Sequence, residues 1–187
     1  MKFKQKPIGD QSIYYIDGLL SKKEIDGISN VVEKLPFVKA ERSHAKDEYL
    51  SFRVDFLPEK FEDQHRVGIV ARSLLMELYP DLKFKLWRAY INMTNYGDVE
   101  YPHFDCSSKE KDITVLYYAH NNWDKSWGGE ILFYKDDEAE LAITPIPGRF
   151  LIFPGVIQHV GTVPSRICKT SRFSFAMKYK LSDQEAN

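Results

Sequence analysis

The sequence predicts a mainly β protein with supporting N-terminal helices, an α+β chain whose core is a double-stranded β-helix, or jelly roll. Apolar residues at helical spacing recur in the first eighty residues, whereas short segments of alternating character follow from Lys83 onward. Turns containing glycine or proline separate several of these later segments. Helices followed by many short strands are typical of a closed or layered sheet against which the helices pack from outside.

The first half of the chain predicts two helices. Residues 21–24 are typical of a capping box. In this motif the serine side chain accepts a hydrogen bond from the amide three residues later, and the glutamate side chain accepts one from the amide of the serine. We expect the first helix at about 22–35, and the second from about residue 61 or 63 to Leu78, with Pro80 ending it. Short strands are predicted nearby, the clearest at 12–16 and 49–56. These elements carry no recognisable chemistry.

Strand signals after Lys83 outline the jelly roll. In the first of them, alternate residues from Phe84 to Thr94 are predicted to share one face. Further strands are predicted at 101–105, 113–119, 130–134, 140–143, 149–153, 157–161 and 171–179. We therefore expect a single domain over residues 1–187, with helical support over about 1–82 and a jelly-roll core over about 83–180.

The composition is that of an ordinary globular protein and excludes some function classes. Lys plus Arg (26) nearly balances Asp plus Glu (27), so no basic excess indicates a nucleic-acid partner. No apolar run reaches transmembrane length, and the start lacks a signal-peptide core, which predicts a cytoplasmic protein without a membrane partner. Cys106 and Cys168 are then expected to be reduced thiols. None of these patterns indicates an oligomeric state.

A candidate metal site is centred on His103 and Asp105. Residues two apart on an extended strand point the same way, so this imidazole and this carboxylate should lie side by side. A third ligand has to come from another strand, and His159 is the best candidate. Two histidines and one carboxylate that leave open positions form the facial triad of non-haem Fe(II) oxygenases. Taken alone, a His-x-Asp pair is more often a surface pair or a satisfied core histidine.

Arg172 follows His159 by thirteen positions and begins an Arg-x-Ser sequence with Ser174. The planar guanidinium group binds a carboxylate through two parallel hydrogen bonds. An arginine on a strand near a facial triad therefore suggests a dicarboxylate co-substrate, bound to the metal at one end and to Arg172 at the other. On its own, such an arginine would more often form a surface ion pair.

Together these residues resemble the Fe(II)/2-oxoglutarate-dependent oxygenases, and their context is similar to the prolyl hydroxylase (prolyl 4-hydroxylase-like) branch. The likeness extends over about residues 83–180 in the family's order. Its further motifs are Asn-Tyr-Gly at 95–97, a "YY…W…GGE" strand pair over 114–130, and Pro-Gly-Arg-Phe-Leu-Ile-Phe at 147–153. Collagen-type prolyl hydroxylases have lysine where this chain has Arg172, which favours the oxygen-sensing and ribosomal-protein types and the bacterial relatives.

The resemblance implies roles for individual residues. His103, Asp105 and His159 would be the catalytic iron ligands, and Arg172 would bind the distal carboxylate of 2-oxoglutarate. The other residues that the resemblance places at the co-substrate are Tyr118, Tyr96, Ser174 and Leu116, the last through packing. The implied cofactors are Fe(II), 2-oxoglutarate and O₂, with ascorbate as a further candidate.

The expected activity is hydroxylation of an unactivated C–H bond, with a prolyl residue in a peptide or protein as the first candidate substrate. A free amino acid or another small molecule would suit the same site, and a closed, charged pocket would favour it. A nucleic-acid demethylase is disfavoured, because no second arginine follows Arg172 closely on the same strand face. The alternative from a different class is a non-catalytic jelly-roll module that merely retains a metal site. The histidines outside the triad, His44, His65 and His120, are expected to be exposed.

Overall fold

The computed structural model describes residues 2–42 and 49–182, so His44 lies outside the described residues. The strands are β1 (Lys4–Ile8), β2 (Gln11–Ile16), β3 (Val38–Glu41), β4 (Ser51–Phe56), β5 (Phe84–Thr94), β6 (Ile113–Tyr118), β7 (Ile131–Lys135), β8 (Glu138–Ile143), β9 (Phe150–Pro154), β10 (His159–Gly161) and β11 (Arg172–Leu181). The helices are α1 (Lys22–Val32), α2 (Pro58–Gln64) and α3 (Arg66–Leu78), with one 3₁₀ turn at Lys125–Trp127. The predicted mainly β class with supporting helices is confirmed. None of the helices in these described ranges is long and apolar enough to cross a bilayer.

The strands form two antiparallel sheets. The large sheet has the order β1-β2-β9-β6-β11-β5-β4-β3, and the small sheet has the order β10-β7-β8. One buried cluster joins side chains of both sheets, among them Leu116, Phe133 and Phe153. A second cluster joins the opposite face of the large sheet to the helices, through residues such as Leu74 and Phe175. The metal-site candidates lie on the side of the large sheet that faces the small one.

The N-terminal region supplies more than helical support. β1 and β2 extend one edge of the large sheet by pairing with β9, and β3 and β4 extend the other edge by pairing with β5. The sequence did not predict β1, which is exposed over most of its length and lacks an apolar alternation. The helices cover one face of this wider sheet, and the opposite face is left for the small sheet.

The capping box predicted for α1 is present: Ser21 accepts from the amide of Glu24, and the Glu24 carboxylate accepts from the amide of Ser21. The single second helix was a wrong prediction. The structure has two helices, α2 and α3, separated at His65, whose backbone is extended. Gly68 allows this junction, because a Cβ there would lie 2.4 Å from the carbonyl oxygen of Phe61.

The prediction that β5 keeps one face from Phe84 to Thr94 was also wrong. Leu86 packs in the cluster on the helix side, whereas Tyr90 packs in the cluster between the sheets. The cause is a β-bulge, because the register with β11 shifts between Lys178 and Tyr179. The bulge lets the second half of β5 contribute side chains to the space between the sheets.

Candidate metal centre

His103, Asp105 and His159 come together at the edge of the small sheet. One ligand atom from each lies within 4.8 Å of the other two. Nε2 of His103 is 3.6 Å from Oδ1 of Asp105, and Nε2 of His159 is 3.6 Å from Oδ2 of the same carboxylate. Such a set of two imidazoles and one carboxylate could hold one divalent ion on one side and leave the other positions open.

The predicted strand at 101–105 was wrong, although the side chains of His103 and Asp105 still lie side by side, as that strand predicted. His103 forms only an isolated bridge with His159, through reciprocal backbone hydrogen bonds of 2.9 and 3.0 Å. The amide of Asp105 donates to the carbonyl oxygen of Gly155 at 2.9 Å. These few contacts suffice to align the segment with β10, so both side chains still reach the same point.

Both imidazole rings are oriented by their own backbone. Nδ1 of His103 lies 2.9 Å from the carbonyl oxygen of Tyr101, and Nδ1 of His159 lies 2.9 Å from that of Ile157. A proton on each Nδ1 leaves the Nε2 lone pair free, as ligation of a metal requires. Burial lowers the pKa of His159 to about 4, so this ring is neutral near neutral pH.

Asp105 is ionised although its side chain is only 7% exposed. Burial alone would raise the pKa of this carboxyl, but the Lys178 ammonium and the neighbouring histidines outweigh burial and hold the pKa well below its usual range. Lys178 contacts Oδ2, and the hydroxyl of Thr114 donates to the same oxygen at 2.5 Å. Neither Lys178 nor Thr114 was among the site residues predicted from the sequence.

Arg172 is buried at the start of β11, on the same side of the large sheet as the triad. Its Nε donates to the carbonyl oxygen of Gly129 at 2.8 Å. The guanidinium packs against Gly161, where a Cβ would lie 3.0 Å from Nη2. Its Cζ is 5.6 Å from the centre of the Tyr118 ring. The orientation of this guanidinium is therefore fixed by main chain and by an aromatic ring.

A cavity of about 60 Å³ connects the triad to Arg172. Its wall consists of Tyr90, Asn92, Thr94, Glu100, His103, Leu116, Ile131, His159, Gly161, Arg172, Ser174, Ala176 and Lys178. Next to it, the Tyr118 hydroxyl is buried with no hydrogen-bond partner among the described residues. Buried polar groups are normally paired. An unpaired phenol beside a buried arginine therefore fits a carboxylate ligand at this position, as a metal-bound dicarboxylate would supply.

Tyr96 does not reach this cavity. It lies in a turn closed by a hydrogen bond from the amide of Asp98 to the carbonyl oxygen of Asn95, and its side chain is 66% exposed. The turn directs the ring to the surface, and Tyr96 is not part of the cavity wall, so its position does not support a role at the co-substrate. Of the other predicted co-substrate residues, Leu116 and Ser174 line the cavity, and Tyr118 lies next to it.

His120 was predicted to be exposed, and this prediction was wrong. The side chain is 3% exposed and lies between the rings of Tyr118 and Trp123. One residue, the buried Ala119, separates it from the buried strand β6, so the chain has not yet left the core at this position. Burial and, second, the charge of Arg172 lower the pKa of His120 to about 3, so this histidine is neutral in the folded protein.

This pKa predicts an acid sensitivity. An unfolded histidine titrates near pH 6.5, so the unfolded chain binds more protons than the folded one between about pH 6.5 and pH 3. The free energy of unfolding therefore decreases as the pH falls through this window. His120→Phe keeps a ring at this position but cannot titrate. Between pH 7 and pH 5 we expect the free energy of unfolding of this variant to fall by roughly 2 kcal/mol less than that of the parent. Urea unfolding of the metal-free proteins measures it, and equal losses in parent and variant would refute the assignment.

The fold and the site define a class: a jelly roll with a two-histidine, one-carboxylate metal centre and a buried arginine next to it. The family model of the 2OG-Fe(II) oxygenase superfamily matches residues 91–179, a range that contains every predicted site residue. The resemblance to this superfamily is thereby confirmed, together with the Fe(II), 2-oxoglutarate and O₂ that its name and chemistry imply. A comparison with curated proteins finds no sequence match.

Solved structures agree with the jelly-roll prediction. A Pseudomonas putida prolyl-4-hydroxylase is 14% identical, covers 91% of this chain and 93% of its own, and superposes with a TM-score of 0.67. A Trichoplax adhaerens prolyl hydroxylase in complex with a hypoxia-inducible-factor peptide is 16% identical, covers 90% and 83%, and has a TM-score of 0.62. The epimerase SnoN of nogalamycin biosynthesis, at 11% identity, covers 90% and 78% with a TM-score of 0.61. At these identities the likeness concerns the fold, and it includes enzymes with different reactions.

Proposed function

We propose that this chain is an Fe(II)- and 2-oxoglutarate-dependent dioxygenase that hydroxylates an unactivated C–H bond, with a prolyl residue of a peptide or protein as substrate. The observation that carries the proposal is the group formed by His103, Asp105 and His159, whose two histidines line one cavity together with the buried Arg172. A triad by itself would suit many metal-binding proteins. The fixed guanidinium nearby adds a site for the far carboxylate of the co-substrate.

The chain's own residues would bind and orient the reactants. The triad would hold the iron, and the backbone acceptors behind each Nδ1 would keep both rings aimed at it. Arg172 would bind the distal carboxylate of 2-oxoglutarate, with the Tyr118 hydroxyl and Ser174 beside it, and Leu116 would pack on the methylenes. When bound, iron with 2-oxoglutarate and O₂ supplies the oxidising power for the C–H bond. The buried walls keep water away from these groups.

An open groove supports a peptide substrate. It has a volume of about 340 Å³ and is lined by Asp98, Val99, Glu100, Pro102, Leu132, Tyr134, Val160, Thr162 and Val163. Glu100 lines both this groove and the cavity at the triad, so the two are adjacent. Exposed apolar side chains, Val99, Tyr101 and Phe104, flank His103 in sequence. A groove of this kind suits an extended chain, and the Trichoplax neighbour was solved with a peptide.

A charged cluster supports a small-molecule substrate as the second candidate. Arg53 and Arg88 both donate to Oε2 of Glu41, at 2.5 and 2.6 Å. The Arg88 guanidinium lies 4.1 Å from the ring centre of Tyr90, and Tyr90 lines the cavity at the triad. If they exchanged Glu41 for the carboxylate of a free amino acid, these two arginines could hold that substrate for hydroxylation at the same iron site.

The test begins with turnover of 2-oxoglutarate. Protein with Fe(II), 2-oxoglutarate and air should release succinate, and a His159→Ala protein, which lacks one proposed ligand, should not. Proline-containing peptides and free amino acids are then compared for a gain of one oxygen atom by mass spectrometry. Oxygen gain on proline in peptides is the expected result. Oxygen gain only on free amino acids would favour the second candidate, and no succinate under any condition would favour the non-catalytic module.

Three further expectations stay predictions: a cytoplasmic location, a single domain over residues 1–187, and a response to ascorbate.

A further inference from the structure

Lys178 is a buried lysine beside the proposed metal centre. It lies on β11, which is flanked in the large sheet by β6 and β5, and it is 8% exposed. Its ammonium group contacts Oδ2 of Asp105 and donates to the hydroxyl oxygen of Thr114 at 3.3 Å. Lysine is almost never buried unless it is paired, so the fold has placed this charge next to Asp105 at a cost.

The two carboxylate oxygens of Asp105 have different neighbours. Oδ2 accepts from Thr114 and contacts Lys178, whereas Oδ1 faces the imidazole of His103. The nearest ring nitrogen to Oδ1 is Nε2 of His103, at 3.6 Å. Since two donors occupy Oδ2, Oδ1 is the oxygen left for an ion. Asp105 is thus prepared to act as a ligand through one oxygen.

Lys178 also changes the charge of the site. The charged side chains of the triad and of the cavity wall are Asp105 and Glu100 on one side and Lys178 and Arg172 on the other. A divalent ion and a dianionic co-substrate likewise balance each other. Without Lys178, the dianion would enter a site that carries one additional negative charge, and such an imbalance is costly in a buried cavity.

We propose that Lys178 is a positioning residue that holds Asp105 through Oδ2 as a single-oxygen ligand and supplies the positive charge with which the metal-loaded centre accepts a dianionic co-substrate. This inference rests on the proposed function. It distinguishes Lys178 from Arg172, which would bind the far end of the co-substrate, because Lys178 acts at the metal end.

Binding measurements without turnover test the proposal. Lys178→Gln and Lys178→Met remove the charge, and the glutamine keeps a donor toward Asp105 so that at least this variant should fold. Mn(II) is titrated into each protein by electron paramagnetic resonance, and 2-oxoglutarate is then titrated into the Mn(II)-loaded protein by calorimetry. We expect 2-oxoglutarate affinity to fall at least about 10-fold, while Mn(II) affinity stays within about 3-fold or rises, because a repelling cation has been removed.

Two controls separate charge from structure. Lys178→Arg keeps the charge and should bind 2-oxoglutarate nearly as the parent does. Lys180→Gln alters an exposed lysine on the same strand and should leave both affinities unchanged. Circular dichroism establishes that each variant is folded.

The proposal is overturned if both neutral variants bind 2-oxoglutarate as tightly as the parent. It is also overturned if Mn(II) affinity falls in parallel in Lys178→Gln, whose amide still donates to Oδ2 of Asp105, because the charge of Lys178 would then be needed for the metal and not for the co-substrate. A parent protein that binds Mn(II) but no 2-oxoglutarate would refute the proposed function itself, and this inference with it. The titration of the parent therefore tells the two failures apart.

Discussion

His103→Ala is expected to abolish metal binding at the triad and, with it, all turnover of 2-oxoglutarate. The variant leaves one imidazole and one carboxylate, too few to hold an ion on one face. Loss of an outer partner of a metal ligand already costs 10- to 100-fold in affinity, so loss of the ligand itself should cost more than about 100-fold. Calorimetric titration of Mn(II) or Fe(II) under argon measures the affinity, and succinate release measures the turnover.

A second histidine supplies the comparison for this experiment. His65 is exposed between α2 and α3, on the side of the large sheet away from the triad, and its ring stacks on Phe61. His65→Ala can lower stability through that contact but should leave the metal affinity unchanged. Retention of full metal affinity in His103→Ala would show that the ion binds elsewhere and would remove the basis of the oxygenase assignment.

Arg172→Ala is expected to raise the concentration of 2-oxoglutarate needed for turnover while leaving metal binding intact. The guanidinium is buried and, in the proposed complex, pairs with a buried carboxylate. Removal of one partner from such a pair costs about 3 kcal/mol or more, which corresponds to a rise of more than about 100-fold in the required concentration. The maximal rate should fall less than the apparent affinity, because Arg172 contacts the co-substrate away from the reacting atoms. Succinate release over a range of 2-oxoglutarate concentrations separates the two effects.

Arg166 provides a matched control, since it is an exposed arginine in the loop before β11. Arg166→Ala should leave the dependence on 2-oxoglutarate unchanged. An Arg172→Ala protein with normal turnover at low co-substrate would mean that the far carboxylate is bound by another group, and the role of Arg172 in the cavity would have to be revised.

The sequence was sufficient to pair His103 with Asp105 because the relevant rule is local, whereas His159 comes from another strand and is placed with them by the resemblance to the family. Alternation along an extended segment places His103 beside Asp105 even though the segment forms only a single bridge. The capping box at Ser21 is equally local. By contrast, the break at His65 and the bulge opposite Lys178 arise from packing between elements that are distant in the chain, and no local pattern marks them.

Lys178 is a basic residue of the site that a pattern restricted to arginine does not reveal. No second arginine follows Arg172 closely on its strand face, yet Lys178 occupies that face six positions further on. A lysine in a strand is usually interpreted as solvent-exposed. The signal in the sequence is its place between Met177 and Tyr179, in a mostly apolar run. The structure buries every residue of the strand from Arg172 to Tyr179.

The backbone bridge between His103 and His159 has a mechanical consequence for the whole chain. The two histidines belong to segments that are far apart in sequence, yet their main chains exchange both hydrogen bonds at the point where their rings converge. An ion bound there would fasten the segment before β6 to the small sheet, and because the unfolded chain has no such site, the binding free energy of the ion would add to the stability of the fold. Loading of the centre and consolidation of the fold would then be one event.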